Sequence, residues 1–187
     1  MKRLLILFSL FIFYSFPINT MNAKIGKATQ HDKVESFSIK VTKSIIIDQN
    51  LKPLMNAMAW RESTNDYTKI NTTNHIGLYQ FGQSTLKTLG YNIPVDSFIR
   101  NPSIFPKEIQ HEAFYKNYKR NAKILSDIII IYDSTYIDGK LITKNGILAA
   151  AHLSGPYGVI NFFEKKEDKK DLNGTSIKDY LFAFSSF

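Results

Sequence analysis

The sequence contains no cysteine, a single tryptophan and fewer acidic than basic residues. The missing thiols exclude a disulfide framework, a thiol nucleophile and a lipid-modified cysteine, yet leave the compartment open, because exported proteins also do without cysteine. There is no Cys/His spacing of zinc-site type, no His-Glu-x-x-His, no Gly-x-Ser-x-Gly elbow and no phosphate-binding glycine loop. His31, His75, His111 and His152 are scattered, so no metal and no other cofactor is expected. The chain also lacks an aromatic RNP pattern and a continuous basic helix, which leaves nucleic acid with charge alone in its favour and off the expected partners. No internal repeat or low-complexity tract is present.

What is present points to a folded, basic, exported protein. At 187 residues, 44% hydrophobic with 14 Phe and 10 Tyr, the chain suits one domain with a real core. The net charge of +8 favours an anionic partner, whether nucleic acid, anionic lipid or an acidic wall polymer. Lys2 and Arg3 precede an apolar run at 4–16, the pattern of a secretory signal. That run is shorter than the roughly 18 to 20 apolar residues that span a bilayer, so no stable membrane span is expected after cleavage. Met21 and Ala23 form the best cleavage match, and an uncleaved anchor is the alternative. The expected organisation is a signal peptide at 1–23, an N-terminal extension at 24–50 and one domain at 51–187, placed in the periplasm or cell envelope; the oligomeric state is not legible.

Within the extension, 24–34 reads as a polar lead-in and 37–47, rich in β-branched residues, as a short strand or extended arm. Leu54, Met55, Met58, Ala59 and Glu62 then recur with helical spacing on one face of a helix over 51–62. The Ser, Thr, Asn and Gly of 63–82 predict a long loop with little regular structure, and a loop of that length in a compact domain is usually functional. Short helices are predicted at 84–89 and 95–100, followed by a long one that Pro106 opens as first helical residue, running through Gln110, Phe114, Tyr118 and Ile124. Asp138-Gly139 between Tyr136-Ile137 and Leu141-Ile142 predicts a type I′ hairpin. A helix at 144–153 should stop at Ser154-Gly155-Pro156 and restart toward Phe163, and the charged run 164–171 should be a solvated connector. Asn173-Gly174-Thr175-Ser176 reads as a turn and cap before a last helix over 177–184.

Glu62 starts the functional reasoning, because its spacing sets a carboxylate on an apolar face. Removing a carboxyl from water favours the neutral form, which makes a proton donor of the kind that glycosidic cleavage requires. The plainer alternative is a helix-terminal Glu that caps backbone or pairs with Arg61. The neighbours weigh in at this point. Glu62-Ser63 at a helix end, the Asn/Thr-rich loop and Gly77-Leu78-Tyr79-Gln80-Phe81 resemble, in order and spacing, the Glu-Ser and Gly-Leu-Met-Gln motifs of soluble lytic transglycosylases and goose-type lysozymes. Ala150-Ala151-His152-Leu153-Ser154-Gly155-Pro156 resembles the third motif of that family, with His152-Leu153 replacing the usual Tyr-Asn. That departure is similar to a subgroup with Ala-His-Leu-x-Gly and a terminal Asp-x-Asn-Gly-Thr, here 171–175. The resemblance covers roughly 51–184.

The resemblance implies an α+β, mainly α, lysozyme-like helical domain with a small β-hairpin beside the cleft, and peptidoglycan glycan strands as the partner. It implies Glu62 as the single catalytic residue and substrate contacts from Ser63, Gly77, Tyr79, Gln80, His152 and Tyr157. The chemistry of the residues agrees without deciding: Gly77 permits positive φ and close approach, and the Gln80 amide can donate to and accept from sugar groups. Tyr79 can stack on a sugar or fill the core, Phe81 favours the core, Gln80 can instead brace its loop, and His152 and Tyr157 can be packing residues. Between positions 51 and 95 the only acids are Glu62 and Asp66, so a one-acid mechanism is favoured over the two-carboxylate scheme of ordinary glycosidases. In the family that mechanism yields a 1,6-anhydro product. A hydrolysing muramidase with Asp66 or Asp96 positioning water, and a wall-binding module without catalysis, are the competing expectations.

Overall fold

Leu54, Met58 and Ala59 are buried along one side of the first helix, α1 (Lys52–Ser63), as their spacing predicts. The computed structural model describes residues 49–187, so the expected signal peptide, the lead-in at 24–34 and the expected strand at 37–47 lie outside the described residues. A 3₁₀ turn, Gln49–Leu51, delivers the chain into α1, and a proline in the first turn costs no hydrogen bond there. The helix ends where Thr64 and Asn65 adopt left-handed backbone, with the Thr64 and Asn65 N–H groups returning to Trp60 and Ala59 carbonyls.

The segment 64–82 has little regular structure, as expected, and is held by isolated β-bridges. Ile70 pairs with Ile76, and Ile76 with Phe81, as isolated antiparallel bridges. Ile76 and Phe81 are buried in the core and so anchor the bridged loop to it. Helices α2 (Gln83–Thr88) and α3 (Val95–Arg100) follow at the expected places, and a 3₁₀ turn, Pro102–Ile104, leads to α4 (Lys107–Ile124). Pro106 precedes the first helical residue rather than being it.

Helix α5 (Ser126–Tyr132) is built around four consecutive isoleucines whose β-branching favours strands, and no sequence pattern announces it; burial of Leu125 and Ile128 overrides the local preference. The hairpin β1 (Tyr136–Ile137) and β2 (Lys140–Leu141) turns through Asp138 and Gly139, both at positive φ as a type I′ turn demands, with β2 one residue earlier than expected.

Helix α6 (Lys144–Lys165) is the centre of the domain: residues 146–151 are all buried, and both α4 and the last helix, α7 (Ile177–Ala183), pack against it. Thr143 caps it through its hydroxyl oxygen, which accepts from Gly146 N–H. At Gly155 the backbone leaves helical geometry with φ 70°, ψ 163°, a region nearly restricted to glycine, and Pro156 restarts the helix beyond the break. The helix continues to Lys165, so the first two residues of the expected connector are helical, and Lys166 ends the helix in left-handed backbone. Ser176 and Asp179 form a reciprocal capping box at the start of α7. The described residues are thus mainly helical, seven α-helices with one two-stranded antiparallel hairpin. Among them, no helix is long and apolar enough to cross a membrane.

Candidate functional site

A cleft of about 1060 Å³ opens between the end of α1, the bridged loop, α2, α4, the α6 break and the turn before α7. That volume exceeds what one small ligand fills and suits an oligomer. Glu62 reaches it because α1 ends there: one turn beyond buried Met58, the same helical face meets the cleft instead of the core. Half-buried Glu62 accepts a hydrogen bond through Oε1 from the Tyr180 hydroxyl at 2.5 Å. Burial pushes the Tyr180 phenol well above its ordinary range, and the Glu62 charge adds to the shift, so the hydroxyl keeps its proton and donates. The Arg61 guanidinium lies 5.1 Å over the Tyr180 ring. Among the described salt bridges none involves Glu62, so the expected alternative of a Glu62–Arg61 pair is not formed.

Gln80 also lines the cleft, from a tight turn that sends Gly77, Leu78 and Tyr79 inward. Its backbone is left-handed at φ 46°, a conformation that persists when the surroundings over-determine it. Here its Nε2 donates to the Gly77 carbonyl at 2.8 Å and to that of Lys69 at 3.2 Å, while Oε1 is covered and has no hydrogen-bond partner. The donor half of the amide therefore braces the loop, the simpler of the two roles its chemistry allows.

His152 lines the cleft just before the α6 break. Its Nε2 lies 2.7 Å from the Tyr79 carbonyl oxygen, so Nε2 carries the proton and donates. Nδ1 is then an acceptor, facing the Asn117 amide at 3.5 Å. Phe81 and Phe114 flank the imidazole. These contacts direct His152 to the loop and α4 rather than to Glu62.

Four of the residues expected to contact substrate do not line the cleft. Ser63 is buried and its hydroxyl donates back to the Ala59 carbonyl at 3.0 Å. Gly77 is buried beneath Gln110, where a Cβ would collide with the carboxamide. Tyr79 is fully buried, stacked on Phe114 at 4.3 Å, with its hydroxyl 2.7 Å from His111 Nδ1. Tyr157 is 68% exposed and lies outside the cleft. Asp66 and Asp96 are outside it as well, and Asp66 spends its carboxylate on the Thr68 N–H and hydroxyl, which hold its pKa down. The hairpin contributes nothing to the lining: Lys178 of α7 meets Asp138 at 2.7 Å and Lys140 covers the Phe182 ring, so it sits against the last helix.

The structure adds residues that the sequence pattern did not single out. Tyr180 is one. Asn117, Arg120 and Asn121 form another group, on one face of α4 by their spacing and all lining the cleft. Buried Gln110 is a third: Oε1 accepts from Leu78 N–H at 2.6 Å, and Nε2 donates to the Tyr67 and Phe105 carbonyls, which ties the loop to α4. A buried polar periodicity of Gln110, Asn117 and Asn121 on α4 was the available signal for the last two groups. Two carboxylates line the cleft, Glu62 and Asp171, against four basic side chains, Arg61, Lys69, Arg120 and Lys170. Asp171 Oδ1 accepts from the Asn173 and Thr175 N–H groups and so shapes the turn of the Asp-x-Asn-Gly-Thr segment. No group of three or more His, Asp or Glu able to hold a metal occurs among the described residues. No protein-family model, no curated protein and no solved structure matches the chain.

Proposed function

We propose that this protein is a peptidoglycan lytic transglycosylase that acts in the cell envelope, with Glu62 as acid and then base. The observation that carries the reading is a carboxyl on the wall of an oligomer-sized cleft, half-buried and hydrogen-bonded by the protonated Tyr180 hydroxyl. The three motifs resembling the family supply the reaction class. In it the Glu62 proton passes to the glycosidic oxygen as the bond from that oxygen to the muramic C1 breaks. The carboxylate left behind takes the proton of the muramic C6 hydroxyl, whose oxygen bonds to C1. Glu62 ends protonated, the product carries a 1,6-anhydro bridge and no water is consumed. The Tyr180 hydroxyl donates to the carboxylate while it serves as base, and restrains its orientation throughout.

A second reading, hydrolysis of the same bond, is favoured by Asp171, the other carboxylate lining the cleft. The two reactions leave different ends, 1,6-anhydro or reducing, on the same fragments. Mass spectrometry of sacculi digested by the purified protein therefore tests the proposal. Glu62→Gln keeps the shape and removes the acid, and is expected to lower the rate roughly 10²- to 10⁴-fold. Wall digestion that persists undiminished in this variant would remove Glu62 from the chemistry, and a parent protein that binds sacculi yet releases no fragments would leave a wall-binding module.

A further inference from the structure

The cleft has a second charged feature, remote in sequence from Glu62, on the face of α4. Arg120 is half-buried there, and Asn121 Oδ1 accepts from its Nη1 at 3.3 Å. Asn121 is itself buried, so this acceptor is fixed in place. The ion pairs among the described residues join Lys116 to Glu112, Lys169 to Glu167 and Lys178 to Asp138; no carboxylate pairs with Arg120. A guanidinium drawn partly out of water, held by a neutral amide and left without a counter-ion, presents its remaining donors to whatever enters the cleft. Basic side chains also outnumber acidic ones along the whole lining, and Asp171 is already engaged by two backbone N–H groups. A neutral sugar chain would leave this charge uncompensated; a carboxylate matches the planar fork of arginine in both charge and shape.

We infer that Arg120, oriented by Asn121, is an anion-recognising subsite of the cleft that binds a carboxylate carried on the glycan strand. The inference rests on the wall-glycan reading and adds to it a substrate requirement: the strand is selected by its acidic side groups as well as by its sugars. Two sources carry that chemistry, the peptide stem on muramic acid and, where the stem has been removed, the bare lactyl carboxylate.

Binding is measured in the Glu62→Gln background, so that nothing is cleaved, with three probes: stem-bearing glycan strands, strands freed of stems by an amidase, and the neutral chitin hexamer. Adding Arg120→Gln is expected to weaken binding of stem-bearing strands by about tenfold or more while leaving the chitin hexamer unchanged. Arg120→Lys, which keeps the charge without the fork, should fall between the two and covers the case of a Gln variant that does not fold. Loss confined to stem-bearing strands assigns a carboxylate of the stem; loss confined to stem-free strands assigns the lactyl carboxylate, which the stem amide otherwise masks; loss on both shows that the subsite takes either. Equal weakening for all three probes, or none with either variant, overturns the subsite while leaving the wall-glycan reading intact. A parent protein that binds none of the probes overturns both.

Discussion

The Tyr180 hydroxyl donates to Glu62 Oε1 at 2.5 Å across 118 positions of sequence. The pair joins the last turn of α1 to α7, and α7 is positioned by its packing on α6 and by the Ser176–Asp179 capping box. The carboxyl thus owes its placement to both ends of the domain.

Tyr180→Phe isolates the hydroxyl, since the ring, its packing and the Arg61 contact survive. On the proposed mechanism, kcat on sacculi falls by about 10- to 100-fold with KM little changed, because the donor acts on the reacting carboxyl. Thermal unfolding should show a change within about 1 kcal/mol, the scale of one hydrogen bond. An unaltered kcat would remove Tyr180 from the machinery.

Gly77 and Gln110 predict a coupled stability effect. Alanine at 77 must adopt φ near 80° and meets the Gln110 carboxamide, which three hydrogen bonds keep from moving aside. Gly77→Ala is expected to cost about 2–4 kcal/mol in urea titrations. With Gln110→Ala already in place the obstacle is gone, and the cost should drop to about 1 kcal/mol, that of the backbone alone. Additive costs would show that the collision is relieved some other way.

These residues also show where sequence reasoning stops. The spacing along α1 places Glu62 on the buried face, and the turn chemistry of Asp138-Gly139 and of Gly155-Pro156 marks the hairpin and the helix break, because each depends on neighbours in the chain. The four residues of Gly77-Leu78-Tyr79-Gln80 could not be sorted that way. Which of them faces the cleft is decided by positive φ at Gly77 and Gln80 and by the grip of Gln110 on Leu78, and Gln110 lies 32 positions downstream of Leu78. Tyr180 has no local signature at all, since its role comes from the packing of α7. The isoleucines of α5 misdirect, because local propensity yields to burial there.

His111 predicts the acid limb of stability. Burial, then the charge of Lys107, lowers its pKa below the ordinary 6.5, with Glu108 opposing in part. A depressed histidine binds its proton more readily in the unfolded chain, so its contribution is full above pH 6.5 and is lost as pH falls toward the folded value. Asp66 and Asp179 are held below the ordinary 3.8 by hydrogen bonds from Thr68 and Ser176, so their contribution is lost later, as pH falls through that lower range. Stability should therefore decline in two stages on acidification. His111→Asn, which keeps an acceptor for the Tyr79 hydroxyl, should flatten the first stage alone; denaturant midpoints measured from pH 8 to pH 3 check it.

Asp171 separates one-acid from two-acid chemistry. Its Oδ1 accepts two backbone N–H bonds, so Asp171→Asn preserves the turn through the amide oxygen while removing the charge from the cleft. A transglycosylase that works through Glu62 alone needs only the shape of this turn, and the Asn variant should keep activity within about threefold, still releasing 1,6-anhydro ends. Asp171→Ala opens the turn and is expected to do more harm than Asn, by raising KM and lowering Tm. In a hydrolase that uses Asp171 to orient water, the ranking differs: Asn would then be nearly as damaging as Ala, with kcat down by about 10²-fold or more and any residual product bearing reducing ends.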